Sequence, residues 1–209
     1  MKKILCIGAH PDDIEIGCGG VIKKYTELGA EVYFLIGTLG GEVILNGNNW
    51  DTIEQQRKDE SFKSAKLLGA IDVIYLELKD TFIRHDGETV RKVENYINQI
   101  CPDTIFTHTK DDNHQDHKNL ALSVISASRR QKVNILHYES PSTAQTFFPK
   151  VYADITETID DKIKAIHVFE TQMEKVYVNP EVIRGLAQYR GFNSNYRLAE
   201  AFDISKYFI

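Results

Sequence analysis

Short apolar runs alternate with stretches of helical period along most of this chain, and that alternation constrains its fold more than any other feature. Lys3 to Gly8, Glu31 to Leu39, Ile71 to Leu76 and Thr104 to His108 each carry an apolar run of strand length. Nearly continuous apolar character marks strands buried on both faces, as in a parallel sheet. Between these runs, Val21, Ile22, Tyr25 and Leu28 recur at helical spacing before Gly29, and Ile53, Phe62, Ala65 and Leu68 do so before Gly69. A glycine placed there is a C-terminal helix stop. Gly40 to Trp50, rich in Gly and Asn, reads as a loop, with Asp51 or Thr52 able to cap the helix that follows. Val90 to Ile100 and His117 to Arg130 read as further helices, and Asn134 to Glu139 as a fifth strand.

The order β-α-β-α predicts an α/β fold: a single doubly wound, mostly parallel, Rossmann-like sheet flanked by helices on both faces. A length of 209 residues suits one well-buried domain, so residues 1–209 are read as one. After Ser140 the pattern loosens. Val151 to Asp154 reads as a strand and Thr156 to about Phe169 as a helix. Asn179-Pro180 starts another helix, and the tail from Leu198 to Ile209 reads as an edge strand.

Composition removes several classes of function. With 25 Lys and Arg against 30 Asp and Glu the net charge is -5, and no basic cluster tracks a phosphate backbone, so nucleic acid is not an expected partner. No stretch approaches the roughly 18 apolar residues that a membrane helix requires, and the first apolar run is too short for a signal peptide. A cytoplasmic location is the expectation. Cys6, Cys18 and Cys101 show no metal or disulfide spacing; Cys6 and Cys101 are expected to pack as small hydrophobes, and Cys18 as packing rather than a nucleophile.

Chemistry concentrates in Ala9-His10-Pro11-Asp12-Asp13 and His114-Gln115-Asp116-His117, each just past a strand. In a doubly wound sheet, ligands bind beyond the carboxyl ends of the strands. His10, Asp13 and His117 form a His-Asp-His set, the ligand types that hold zinc with an open position. Asp12 is then a spare carboxylate able to accept a proton from water, and His114 an acid or oxyanion partner that Asp116 could orient and keep charged. The bland alternative is a His-Pro-Asp-Asp helix cap and satisfied polar histidines, and on either motif alone it would be preferred. Their joint placement at two strand ends favours a metal site.

Other motifs fall away. Gly17-Cys18-Gly19-Gly20 lacks the third glycine of a dinucleotide fingerprint, and its glycines are expected to let a helix pack close to the ligand-bearing loop. His85, His108, His137 and His167 are expected in structural or surface roles, although His108 ends a strand near the motifs. Arg57, read from the sequence alone, would pair with Glu54 or Glu60 on an exposed helix face.

At these residues the chain resembles the LmbE/PIG-L family of zinc-dependent N-acetylglucosaminyl deacetylases, whose hallmarks are A-H-P-D-D and H-x-D-H. Arg57 with Glu60, Asp80, Arg190-Gly191 and Ala199-Glu200-Ala201-Phe202 extend the resemblance along nearly the whole chain. The resemblance implies one Zn2+ per chain on His10, Asp13 and His117, Asp12 as general base, and His114 with Asp116 assisting. It also places Arg57 and Asp80 in the substrate-binding region. Gln115 stands where the family often has Pro, and Ile14 where it often has Glu.

The expected activity is removal of acetyl from an N-acetylglucosamine-type amino sugar in a small glycoconjugate. A metal-dependent amidase on another amide or thiol conjugate, and a non-catalytic zinc-containing sugar-binding protein, are the alternatives. The aglycone is not legible, a homo-oligomer stays open, and Gly40 to Asp51 and Thr171 to Asn195 match no assignable pattern.

Overall fold

The computed structural model describes residues 1–40 and 50–208, with residues 50–52 described by their backbone alone. Most of the loop expected over Gly40 to Trp50, and the side-chain cap expected at Asp51 or Thr52, lie outside the described residues. Seven strands are present among these residues: β1 (Lys3–Gly8), β2 (Glu31–Ile36), β3 (Asp72–Tyr75), β4 (Thr104–His108), β5 (Asn134–Tyr138), β6 (Val151–Asp154) and β7 (Ala199–Lys206). They form one sheet in the order β3-β2-β1-β4-β5-β7-β6. The helices are α1 (Asp13–Glu27), α2 (Trp50–Leu68), α3 (Gly87–Ile100), α4 (Gln115–Ala127), α5 (Ile159–Ile166) and α6 (Pro180–Ser194).

Strands β1 to β5 are parallel, and their residues alternate between two cores. Ile4 and Cys6 of β1 face a cluster with Ile14 and Ile22 of α1, Leu68 of α2 and Ala165 of α5. Leu5 and Ile7 face the opposite cluster, built with Val93 and Ile97 of α3 and Leu120 and Val124 of α4. Period-two alternation of apolar residues on strands covered from both sides is what a doubly wound α/β sheet requires. The fold class is the one expected.

After β3 the chain recrosses the sheet to form β4 beside β1, so the winding reverses between these two strands. Crossovers leaving in opposite directions open a crevice beyond the strand ends at such a point. β1 and β4 pair in register with Ile7 opposite Thr107. The loops after them are therefore delivered side by side.

The tail departs from expectation. β7 is not an edge strand: it lies between β5 and β6, antiparallel to both. Its first half, Ala199 to Phe202, is buried, with the Phe202 ring 5.0 Å from that of Phe106, while β6 keeps half-buried residues and takes the edge. Cys101 is also corrected, being exposed at the C-terminus of α3, whereas Cys6 and Cys18 are buried.

Helix α1 carries a break that matters for the site. Cys18 leaves helical geometry at φ -146°, ψ 19°, which separates a first turn near the strand ends from the rest of the helix. The carboxylate of Glu200 accepts from the freed Gly20 N–H at 2.8 Å and the Val21 N–H at 2.7 Å, as an anion does at a helix N-terminus. Lys162 Nζ completes the arrangement, donating to Glu200 at 2.6 Å and to the Ile16 carbonyl at 2.7 Å. A Cβ at Gly17 would lie 2.2 Å from the Tyr138 ring, so the close approach is to β5 rather than to the ligand-bearing loop.

Candidate metal centre

Beyond Gly8 the chain turns sharply through Ala9 to Asp12 before α1 begins at Asp13. Asp12 takes φ 94°, a left-handed conformation that costs a non-glycine residue energy and persists only where the surroundings fix it. It occupies the N-cap position but its side chain makes no capping hydrogen bond. That is not the plain helix cap of the bland reading. On the other side, His114 caps α4, its Nδ1 accepting the Asp116 N–H at 3.2 Å.

Four ligand atoms of three residues converge from the two loops, both carboxylate oxygens of Asp13 among them. His10 Nδ1 is 3.3 Å from His117 Nε2 and 3.3 Å from Asp13 Oδ2, and His117 Nε2 is 3.4 Å from Asp13 Oδ1. Bonds of about 2.0–2.1 Å to a tetrahedral ion set ligand–ligand edges of roughly 3.3–3.4 Å. The residues therefore fit a zinc-sized cation. Three overlapping groups have ligand atoms all within 4.8 Å of one another: His10, His114 and His117; Asp13, His108 and His117; and His10, Asp80 and Asp116.

His10, Asp13 and His117 are spread over these groups, and the far ring edges of the two histidines show which nitrogens turn toward Asp13. His10 Nε2 lies 3.1 Å from Asp80 Oδ1 and 3.3 Å from Asp116 Oδ2, which places a proton there and leaves the Nδ1 lone pair toward Asp13 and His117. His117 Nδ1 lies 3.3 Å from Asp112 Oδ2, leaving Nε2 for the same point. Asp13 is anchored by the His10 N–H at 2.7 Å. Burial alone would raise the Asp13 pKa, but the rings of His117, His108 and His10 outweigh it and hold the carboxyl well below its usual range. His10 moves the other way. Burial would lower it, and Asp116, Asp13 and Asp80 together raise it well above the usual imidazole value.

Three expectations change here. Asp116 does not orient His114: its fully buried carboxylate accepts from Thr81 N–H at 2.8 Å and Ile83 N–H at 3.1 Å and faces His10. Asp80 likewise backs His10 instead of facing outward to a substrate. His114 is not held as an imidazolium, because its Nδ1 is spent as a helix-cap acceptor and its pKa is lowered by burial and by the charges of His117 and His10. The neutral ring then carries its proton on Nε2.

Asp12 stands to one side. Tyr177 donates to its Oδ2 at 3.3 Å, and Arg57 Nη2 lies 3.8 Å from Oδ1. Burial pushes its pKa up to about 7, against the opposing pull of Arg57 and with the support of neighbouring Asp13. Arg57 is buried, donating to the Pro11 carbonyl at 2.9 Å and the Gly40 carbonyl at 2.6 Å, and so is no surface partner of Glu54 or Glu60. It braces the turn that carries Asp12.

Sequence reasoning missed Asp112, His108 and Tyr177. Asp112 gathers Ser140 at 2.7 Å and Ser142 at 2.6 Å around its carboxylate besides facing His117. A carboxylate five residues before a candidate ligand, in the same loop, was the available signal. His108 is fully buried, with Nε2 3.1 Å from Asp13 Oδ2 and its ring stacked 3.8 Å from that of His117. Burial and the His117 charge lower its pKa to about 4, so it stays neutral. Tyr177 comes from a segment with no readable pattern. His85, His137 and His167 serve structurally, as expected, bonding to Ser126, Ser205 and the Val178 carbonyl.

A strand-end cluster of histidines and carboxylates at the winding reversal of an α/β sheet defines a hydrolase of the metal-dependent type. The profile of the PIG-L family, described as GlcNAc-PI de-N-acetylase, matches residues 5–128. The chain belongs to this family and is an enzyme of the N-deacetylase class. A diacetylchitobiose deacetylase of Thermococcus kodakarensis is 29% identical over 226 residues, spanning 96% of this chain and 82% of that protein. The uncharacterized deacetylase YaiS of Escherichia coli is 35% identical over 165 residues, spanning 75% of this chain and 83% of its own length. Among solved structures, the N,N'-diacetylchitobiose deacetylase of Pyrococcus horikoshii superimposes with a TM-score of 0.85 at 26% identity, covering 97% of this chain and 83% of that one.

Proposed function

We propose that the whole chain acts as one catalytic domain, a zinc-dependent deacetylase that removes the N-acetyl group from an N-acetylglucosamine-type sugar in a small glycoconjugate. The observation that carries this reading is the convergence of His10 Nδ1 and His117 Nε2, 3.3 Å apart, on the two carboxylate oxygens of Asp13 at 3.3 and 3.4 Å, beside a buried carboxylate that is not part of it. The similarity to diacetylchitobiose deacetylases supports the substrate class. Zinc held by these three residues would supply a Lewis acid that polarises the amide carbonyl and acidifies water.

The chain's own groups then have distinct work. Asp12 accepts the proton of the attacking water and returns it to the leaving nitrogen, a task suited to a carboxylate whose pKa lies near 7. Tyr177 and Arg57 hold that carboxylate in place. His114 offers a neutral Nε2–H to the oxyanion that forms at the carbonyl. Asp116, Asp80 and Asp112 fix the rings of His10 and His117. Water and the amide are consumed; acetate and a free amine leave.

Metal analysis of the purified protein, combined with an assay for primary amine released from N-acetylglucosamine and its conjugates, tests the reading. One zinc per chain with amine release is expected. Amine release that survives His117→Ala together with loss of the metal would overturn it.

A further inference from the structure

A cavity of about 130 Å³ lies between α6, β7 and the first turn of α1. Its size is of the order of the ~150 Å³ apolar cavity that takes up benzene. Ile16, Pro141, Val182, Ile183, Leu186 and Ala187 line it. Two further lining residues tie it to the metal centre. Tyr177 reaches Asp12 Oδ2 at 3.3 Å, and Ser140 Oγ lies 3.3 Å from His117 Nδ1.

Four charged residues also border the cavity, and each is matched by an opposite charge. Arg190 grips Glu139 through two parallel bonds of 2.7 and 2.6 Å. Lys162 holds Glu200 at 2.6 Å, and that carboxylate is further satisfied by the backbone of α1. Two cations and two carboxylates thus cancel. An incoming anion would lose its water and find its natural partners already taken, a desolvation cost with no compensating bond.

On a hexosamine the anomeric carbon adjoins the carbon that bears the acetamido group, so its substituent lies next to the reacting amide. Resting on the deacetylase reading, we infer that the cavity is a subsite for an uncharged ring or apolar group at that position. The enzyme then prefers neutral aglycones to phosphate- or carboxylate-bearing ones.

Kinetics with three probes decide this: N-acetylglucosamine, its phenyl β-glycoside, and N-acetylglucosamine 1-phosphate. The phenyl glycoside is expected to exceed the free sugar in kcat/KM by about tenfold or more, as burial of a ring allows, and the phosphate to fall at or below it. Leu186→Glu, which charges the cavity, and Ala187→Leu, which fills it, should each cut the phenyl preference about tenfold. Phe192→Ala, on the same helix but 84% exposed, should leave it unchanged. Equal efficiency on phenyl and free sugar, preference for the phosphate, or indifference to both cavity variants overturns the inference. If none of the probes is turned over, the deacetylase reading fails separately, and calorimetric binding of the phenyl glycoside still decides the subsite. Binding weakened by Leu186→Glu supports it, and no binding overturns it.

Discussion

Asp116 Oδ2 lies 3.3 Å from Nε2 of His10, on the ring edge opposite the nitrogen that faces Asp13 and His117. A carboxylate in that position fixes both the tautomer and the direction of a metal-ligating ring. Replacing Asp116 with Asn should therefore weaken metal affinity about 10- to 100-fold. Competition against a chelator of known affinity measures this, and an unchanged affinity would remove Asp116 from that role.

Asp12→Asn should lower kcat by about 100- to 10,000-fold while the protein keeps its metal, since proton transfer is lost and the ligands are not. The base works only when ionised. With its carboxyl raised to about 7 by burial, kcat/KM should fall as pH drops below about 7, and a cation at the ligands moves that limb lower. A limb rising only above neutral pH in the wild-type profile would contradict the assignment.

Glu15 gives a pH-dependent stability prediction. It is buried, accepts from Ser64 Oγ at 2.7 Å, and has its pKa pushed up by burial to about 8. Between the ordinary carboxyl value and about 8, the folded state binds this proton more tightly than the unfolded state, so the contribution fades as pH rises through that window. Glu15→Gln, neutral throughout, should match wild type in Tm at pH 5 and exceed it at pH 9. Thermal unfolding of the metal-free protein across this range reads the difference, and identical curves at pH 9 would count against it.

Lys162 and Glu200 form a buried pair, with side chains 8% and 4% exposed. Removing one partner strands a charge, so Lys162→Met should cost about 3–5 kcal/mol. Joining Glu200→Gln to it should recover part of that loss in denaturant unfolding. Strictly additive losses would mean that the two residues are not coupled.

The parallel strands were readable because burial on both faces writes itself as a continuous apolar run, as in Ile4 to Ile7. The helix stops at Gly29 and Gly69 were readable because positive φ values of 84° and 83° favour glycine. The position of β7 was not, because strand order is decided by pairing between residues far apart in sequence, Phe202 with Tyr138 and Val151. Tyr177 was hidden for the same reason: no local pattern marks a hydroxyl whose partner is 165 residues away.

The centre of the site was legible in the chain, while Asp112, His108 and Tyr177 around it were not. Two motifs at two strand ends set which histidines and carboxylates can meet, because a parallel α/β sheet delivers its strand ends to one crevice. What each of them does follows from the packing around it. Asp116 was expected to serve its neighbour His114, yet helix α4 turns it toward His10, while Asp80 reaches the ring edge of His10 from another loop and Asp112 that of His117 from within its own. Roles of this kind depend on direction and on which ring nitrogen is engaged, and those are fixed by packing between distant segments rather than by spacing along the chain.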